Sequence, residues 1–256
     1  MTGRFLPGVP GRAIEAIYEA APGREIASGK FDSPASSAAL AANALGFFLN
    51  RVSDFPPLPG CEAESWPARA LRLEAEIRFP WSGGRHPVLD GLLETPSALI
   101  GIESKRFEPY RSKQASSPSD AYWRPVWGEQ MGGYERIRDT LRSDPGRFVH
   151  LDAAQLFKHA FALRTGVHRT NGHRGLKPVL FYLYAEPDHW PGDRKPVDEH
   201  ARDRHREEIR RFAATVAGDE TVFVPCPYRR LIDAWMKSED ESIRGHARGV
   251  DSTFSP

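Results

Sequence analysis

Asp90, Glu103 and Lys105 are the residues of this 256-residue sequence whose types and spacing best support chemistry. They lie in HPVLDGLLETPSALIGIESKRFEPY, residues 86 to 110, where two apolar runs flank a Thr-Pro-Ser turn. Side chains alternate faces along a strand, so Glu103 and Lys105 point one way and Ile100, Ile102 and Ser104 the other. A two-residue hairpin loop at Pro96 and Ser97 would pair residue 95 with 98 and set Asp90 opposite Glu103. Directly opposed residues hold their Cβ atoms about 4.5–5.5 Å apart, and like charges at that distance repel.

A divalent cation relieves that repulsion. Mg²⁺ prefers oxygen ligands in octahedral geometry, commonly one or two carboxylates completed by water and substrate phosphate oxygens. The backbone carbonyl of Ser104 lies between Glu103 and Lys105 and could add a ligand. Lys105, on the carboxylate face, would stand beside a metal-bound water. The competing reading is a solvated hairpin face, whose ion pairs contribute about 0–1 kcal/mol. Against it, SALIGIESK begins as an apolar run, and neighbouring helices suffice to cover both faces of a sheet.

The elements that must position these residues can be read along the chain. A short helix is expected over 13–21. A stronger one is expected over 33–52, with Ser33 as cap and Pro34 at the first helical position. ALRLEAEIRFPW, 70–81, alternates as a half-buried strand, placing Leu71, Leu73, Ala75 and Ile77 on one face. A helix from near Glu129 to Pro145 and another over 151–166, capped by Asp152, follow the hairpin. KPVLFYLYAEP, 177–187, reads as a central strand. A charged helix over 197–218, a short strand and a last helix complete an α/β domain around a mixed sheet flanked by helices. One domain is expected over 1–238, and 239–256 as a disordered tail.

Composition excludes several classes. The net charge of +1 gives no global attraction to nucleic acid, so any basic surface must be local. No apolar run approaches the roughly 18 residues of a membrane span, and a cytoplasmic location is expected. The two cysteines, Cys61 and Cys226, read as free thiols in a reducing compartment.

VLDGLLE followed by LIGIESK resembles the PD-(D/E)XK nuclease superfamily, with Asp90, Glu103 and Lys105 matching its motif residues one for one. Leu89 replaces the motif proline. The order helix, three strands, helix, strand is similar to the superfamily's αβββαβ core, that of restriction endonucleases. IGIESKRFEPY together with WGEQMGGYE resembles a bacterial restriction-endonuclease-like family, and the likeness covers roughly residues 35–235.

The resemblance implies Mg²⁺-dependent phosphodiester hydrolysis, with Mn²⁺ as an alternative ion, and a DNA endonuclease in restriction or defence. Asp90 and Glu103 would hold the metal, and Lys105 would orient water or stabilise charge developing on phosphorus. The superfamily's acidic residue on the first helix has no counterpart in SSAALAANALG, where only Asn43 is polar beyond the serines. Glu76 is the substitute candidate, and Gln155 a second accessory residue. Arg164, Arg169, Arg174 and Lys177 form a basic stretch suited to phosphate contacts. Cleavage of both strands of a duplex would favour a homodimer. The alternatives are a nuclease-fold protein that binds nucleic acid or a partner without cutting, and a hydrolase of small phosphate esters.

Overall fold

In a computed structural model, which describes residues 3–81, 84–111, 118–169, 171–192 and 194–256, the apolar runs form one sheet. Its strands are β1 (Ala70–Glu76), β2 (Val88–Glu94), β3 (Ala98–Lys105), β4 (Lys177–Tyr184) and β5 (Val222–Pro227), adjacent in chain order. The first three run antiparallel and β3, β4 and β5 run parallel. Seven α-helices among the described residues flank them: α1 (Gly11–Ala20), α2 (Ser37–Gly46), α3 (Gly132–Ser143), α4 (Ala153–Arg169), α5 (Glu199–Val216), α6 (Tyr228–Met236) and α7 (Glu241–Phe254). The series α2, β1, β2, β3, α4, β4 is the expected αβββαβ order within a mixed α/β sandwich.

Two apolar layers hold the sheet. Ala98, Ile100 and Ile102 of β3, with Val179, Phe181 and Leu183 of β4, pack under α1, α2, α6 and α7. Leu99 of β3, with Leu180 and Tyr182 of β4, packs under α3, α4 and α5. This is the period-two alternation of a strand buried on both faces. Between α3 and α5 the backbones approach so closely that a Cβ on Gly133 would lie 2.5 Å from the Thr215 carbonyl oxygen. Only glycine fits there without displacing backbone.

Several boundaries depart from the sequence reading. Ser36, not Ser33, caps α2, accepting a 3.0 Å hydrogen bond from Ala39 N–H. Pro34 lies before the helix, where its carbonyl accepts from Arg106. Gly166 lies inside α4, which continues to Arg169.

The tail expected to be disordered is α7. Ile243, Ala247 and Val250 are buried in the core, and Asp240 caps the helix through Ser242 N–H at 2.7 Å. Their spacing, continued by Phe254, is helical, and the surrounding charges hid it.

The largest correction concerns β1. Leu71 and Leu73 pack in the α2 layer, but Ala75 and Ile77 pack in the α4 layer. Glu74 sits between them at φ 48°, in the left-handed region, and so reverses the strand's faces. Its partner strand changes over at the same level. Leu93 joins the α2 layer and Leu89 the α4 layer, although a regular strand would give them one face. The ladder pairs Leu73 with Gly91 and Ala75 with Leu89, leaving Glu74 and Asp90 facing each other at the crossover.

Candidate active site

The β2–β3 register agrees with the hairpin arithmetic. Gly91 pairs with Ile102 and Leu92 with Gly101, and Thr95 N–H donates to Ala98 O at 2.9 Å. Extended by one residue, this register sets Asp90 opposite Glu103. The paired ladder stops at Gly91, however, and the Asp90 side chain takes over. Its Oδ2 accepts the Ser104 N–H at 2.6 Å. A carboxylate therefore stands where a backbone acceptor would continue the ladder.

Glu103 follows Leu99 and Gly101 onto the α4 side of β3 and is 1% exposed. Its Oε1 lies 2.5 Å from Lys105 Nζ, and its Oε2 lies 3.2 Å from Nδ1 of the buried His159 on α4. That second approach lacks hydrogen-bond alignment, so Glu103 Oε2 and His159 Nδ1 both remain buried without a hydrogen-bond partner. Ser104 points the other way, its hydroxyl 2.7 Å from the Tyr228 hydroxyl. Asp90, Glu103 and Lys105 line one cavity of about 470 Å³, together with Glu74, Glu108, Arg111 and Gln155.

Electrostatics at the site follow from burial and neighbouring charge. Burial, then repulsion from Glu103, raises the Asp90 carboxyl well above its ordinary range. Burial would raise Glu103 too, but Lys105 and His159 overcome it and bring that carboxyl down to about 2. Burial alone would lower Lys105; the charges of Glu103 and Asp90 outweigh it and raise the ammonium above its ordinary value. Glu74 is pushed up to about 7 by burial and by Glu25.

The arrangement accommodates a hydrated Mg²⁺ better than a metal caged by protein alone. Among the described residues no three His, Cys, Asp or Glu side chains converge as a ready-made metal site. Mg²⁺ needs only one or two carboxylates, the remaining positions being water or phosphate. Asp90 and Glu103 supply these, with Glu103 Oε2 free of hydrogen bonds. The Ser104 carbonyl is suitably aimed. Lys105 O accepts from Ala185 N–H at 2.8 Å toward β4, and successive carbonyls alternate, so Ser104 O points toward β2 and Asp90.

The accessory residues are distributed differently from expectation. Gln155 does reach the cavity. Glu76 does not; it is exposed and lies 3.7 Å from Arg78. The β1 acid in the site is Glu74, because the left-handed turn at that residue reverses which faces the strand presents. His159 was also missed in the sequence, although its position four residues after Gln155 places it on the same helix face.

The basic stretch lies elsewhere. Lys177 pairs with Ala98 at the opposite end of β3, roughly 23 Å from Lys105 at about 3.3 Å per residue. Lys177 is bound to Glu64 at 2.6 Å and Arg164 to Glu220 at 3.2 Å. Arg169 reaches the Pro80 carbonyl at 3.5 Å, and Arg174 is exposed.

A family profile described as restriction endonuclease associating with ARP matches residues 13–247. The chain belongs to this family. The match spans every strand and every helix of both layers except the first residues of α1 and the end of α7, so this restriction-endonuclease-type family is defined over the fold that positions the carboxylates. Searches of curated proteins and of solved structures returned no match.

Proposed function

We propose that the chain is a Mg²⁺-dependent nuclease that hydrolyses phosphodiester bonds, acting as a DNA endonuclease in restriction or defence. The observation carrying this reading is the convergence of Asp90, Glu103 and Lys105 on one cavity at the point where Asp90 replaces the ladder. Asp90, Glu103 and the Ser104 carbonyl would hold the ion, for which Mn²⁺ could substitute. When bound, the ion polarises the scissile phosphate and lowers the pKa of a coordinated water.

The chain's own groups divide the remaining work. Lys105 is held protonated by two carboxylates, so its role is to stabilise charge on the phosphate rather than to accept a proton. His159 flanks the buried Glu103 on the α4 side, 3.2 Å from its Oε2. Gln155, in the first turn of α4, faces the same cavity and can donate to a phosphate oxygen or a water.

The family's association with ARP supports a partner protein in addition to a nucleic acid, and the proposal includes both. A homodimer and a cytoplasmic location accord with an enzyme that cuts duplex DNA inside the cell. No helix among the described residues is long and apolar enough to cross a membrane.

The test is incubation of purified protein with plasmid and Mg²⁺, beside Lys105→Ala and an EDTA control. Metal-dependent cleavage lost in the variant is expected. Cleavage that persists in either control would overturn the reading. Binding of DNA without any cleavage by the wild type would favour the non-cutting alternative.

A further inference from the structure

The site cavity is continuous with a second one of about 880 Å³; Gly23, Glu25, Lys30, Glu74 and Gln155 line both. Arg111 lines the first cavity only, and Arg85 and Lys158 the second only. The carboxylate pair therefore lies in a longer groove with cations in both parts.

Their charges are unpaired, as are those of many other arginines and lysines, but these stand on the groove itself. Among the described residues, Lys30, Arg85, Arg111 and Lys158 make no ion pair. Arg111 rests over the Trp190 ring at 5.6 Å and Lys158 over the Tyr122 ring at 5.5 Å. An aromatic face orients a cation without neutralising it, so the charge stays available to an anion. By contrast, Arg164 and Lys177 are already bound to carboxylates. The acids lining the groove are accounted for separately. Asp152 accepts from Gln155 N–H and attracts Lys158, Glu76 lies beside Arg78, Glu108 accepts from Ser37 and Arg106, and Glu25 and Glu74 line both cavities.

We propose that a DNA phosphate backbone runs along this joined groove, with Arg111 and Lys158 holding phosphates on either side of the one at Asp90 and Glu103. The inference rests on the nuclease reading for its substrate class, and it moves the binding surface from the 164–177 stretch to the α4 side of the site. Free cations are what such a track requires, because phosphate contacts supply most non-specific affinity. Gln155 and Lys158, three residues apart on α4, lie on one helix face and would follow the same strand.

Fluorescence anisotropy with a labelled DNA duplex in EDTA tests the track without cleavage. Lys158→Ala and Arg111→Ala should each weaken binding by about 5-fold and lower the salt-dependence slope by about one. Lys158→Arg should retain binding, and Lys177→Ala should match the wild type. Thermal unfolding of each variant establishes that it is folded. Unchanged affinity in folded Lys158→Ala and Arg111→Ala, a loss in Lys177→Ala instead, or no duplex binding by the wild type would overturn the track. The nuclease reading is judged separately by plasmid cleavage. Cleavage without dependence on these cations sinks the track alone. Lys158-dependent binding without cleavage sinks the nuclease reading alone.

Discussion

At the hairpin end of β3, the carboxylates have partners in the fold: Lys177 lies 2.6 Å from Glu64, and the His173 ring lies 3.4 Å from Glu94. At the other end of the same strand, Asp90, Glu103 and Glu74 line one cavity in which, among the described residues, Lys105 is the only lysine or arginine bound to any of them. Both ends are rich in charge, and in sequence the hairpin end looked the more basic. The difference lies in whether a charge has a partner within the fold. Where it has one, it serves the fold; where carboxylates exceed their partners, a proton or a bound cation completes the balance.

The largest expected effect tests the carboxylate end directly. Asp90→Asn, Glu103→Gln and Lys105→Ala should each lower plasmid cleavage by about 10³-fold, whereas Glu64→Gln should leave it unchanged. Equal loss from Glu64→Gln would erase the distinction between the two ends.

Stability should separate them as well. Lys105→Ala leaves Glu103 buried with a cation removed and should cost about 3 kcal/mol in urea unfolding. Asp90→Asn removes a repelling charge and should be neutral or stabilising without metal, yet abolish any rise in Tm on adding Mg²⁺. Saturation at a hundred times Kd would give the wild type about 2.7 kcal/mol. A marked loss of metal-free stability in Asp90→Asn would show that the facing carboxylates are not under strain.

His246 provides a reference remote from both ends. Burial against Phe47, 4.1 Å between ring centroids, lowers its imidazole from the usual value near 6.5 to about 4. The native state keeps it neutral while the unfolded chain takes up a proton below about 6.5. Stability is therefore complete above that pH and falls as pH drops, until the native form also protonates near 4. Between pH 7 and 5 the loss should be about 2 kcal/mol, and His246→Gln should flatten it. Acid sensitivity that persists in that variant belongs to other groups.

The smallest effect is expected at the hairpin end. Lys177→Ala removes a partly exposed ion pair and should change stability by less than about 1 kcal/mol.

The hairpin register was legible because turn length and strand periodicity are local: Pro96 and Ser97 set the pairing that brings Asp90 to Glu103. The helical order and the apolar faces of β3 and β4 were legible for the same reason. The crossover in β1 was not. Strict alternation of Leu71, Leu73, Ala75 and Ile77 looks the same whether those residues fill one layer or two, and only the backbone at Glu74 distinguishes the cases. Regular alternation puts Glu74 and Glu76 on one face and so cannot single out Glu74 as the acid that lines the cavity. In the 164–177 basic stretch, sequence shows the cations but not the carboxylates from distant segments, Glu220 and Glu64, that pair with Arg164 and Lys177, whereas Arg169 and Arg174 make no such pair among the described residues. α7 was lost because polar residues diluted a sound period of apolar ones.

The crossover at Glu74 and Asp90 also bears on when the site comes into being. β1 contributes Leu71 and Leu73 to one layer and Ala75, followed by Ile77 just beyond its end, to the other, so neither layer alone fixes the backbone between them. A chain with only one layer assembled has strands but no seat for the facing acids. Assembly of the second layer then completes the fold and seats the facing acids in the same step.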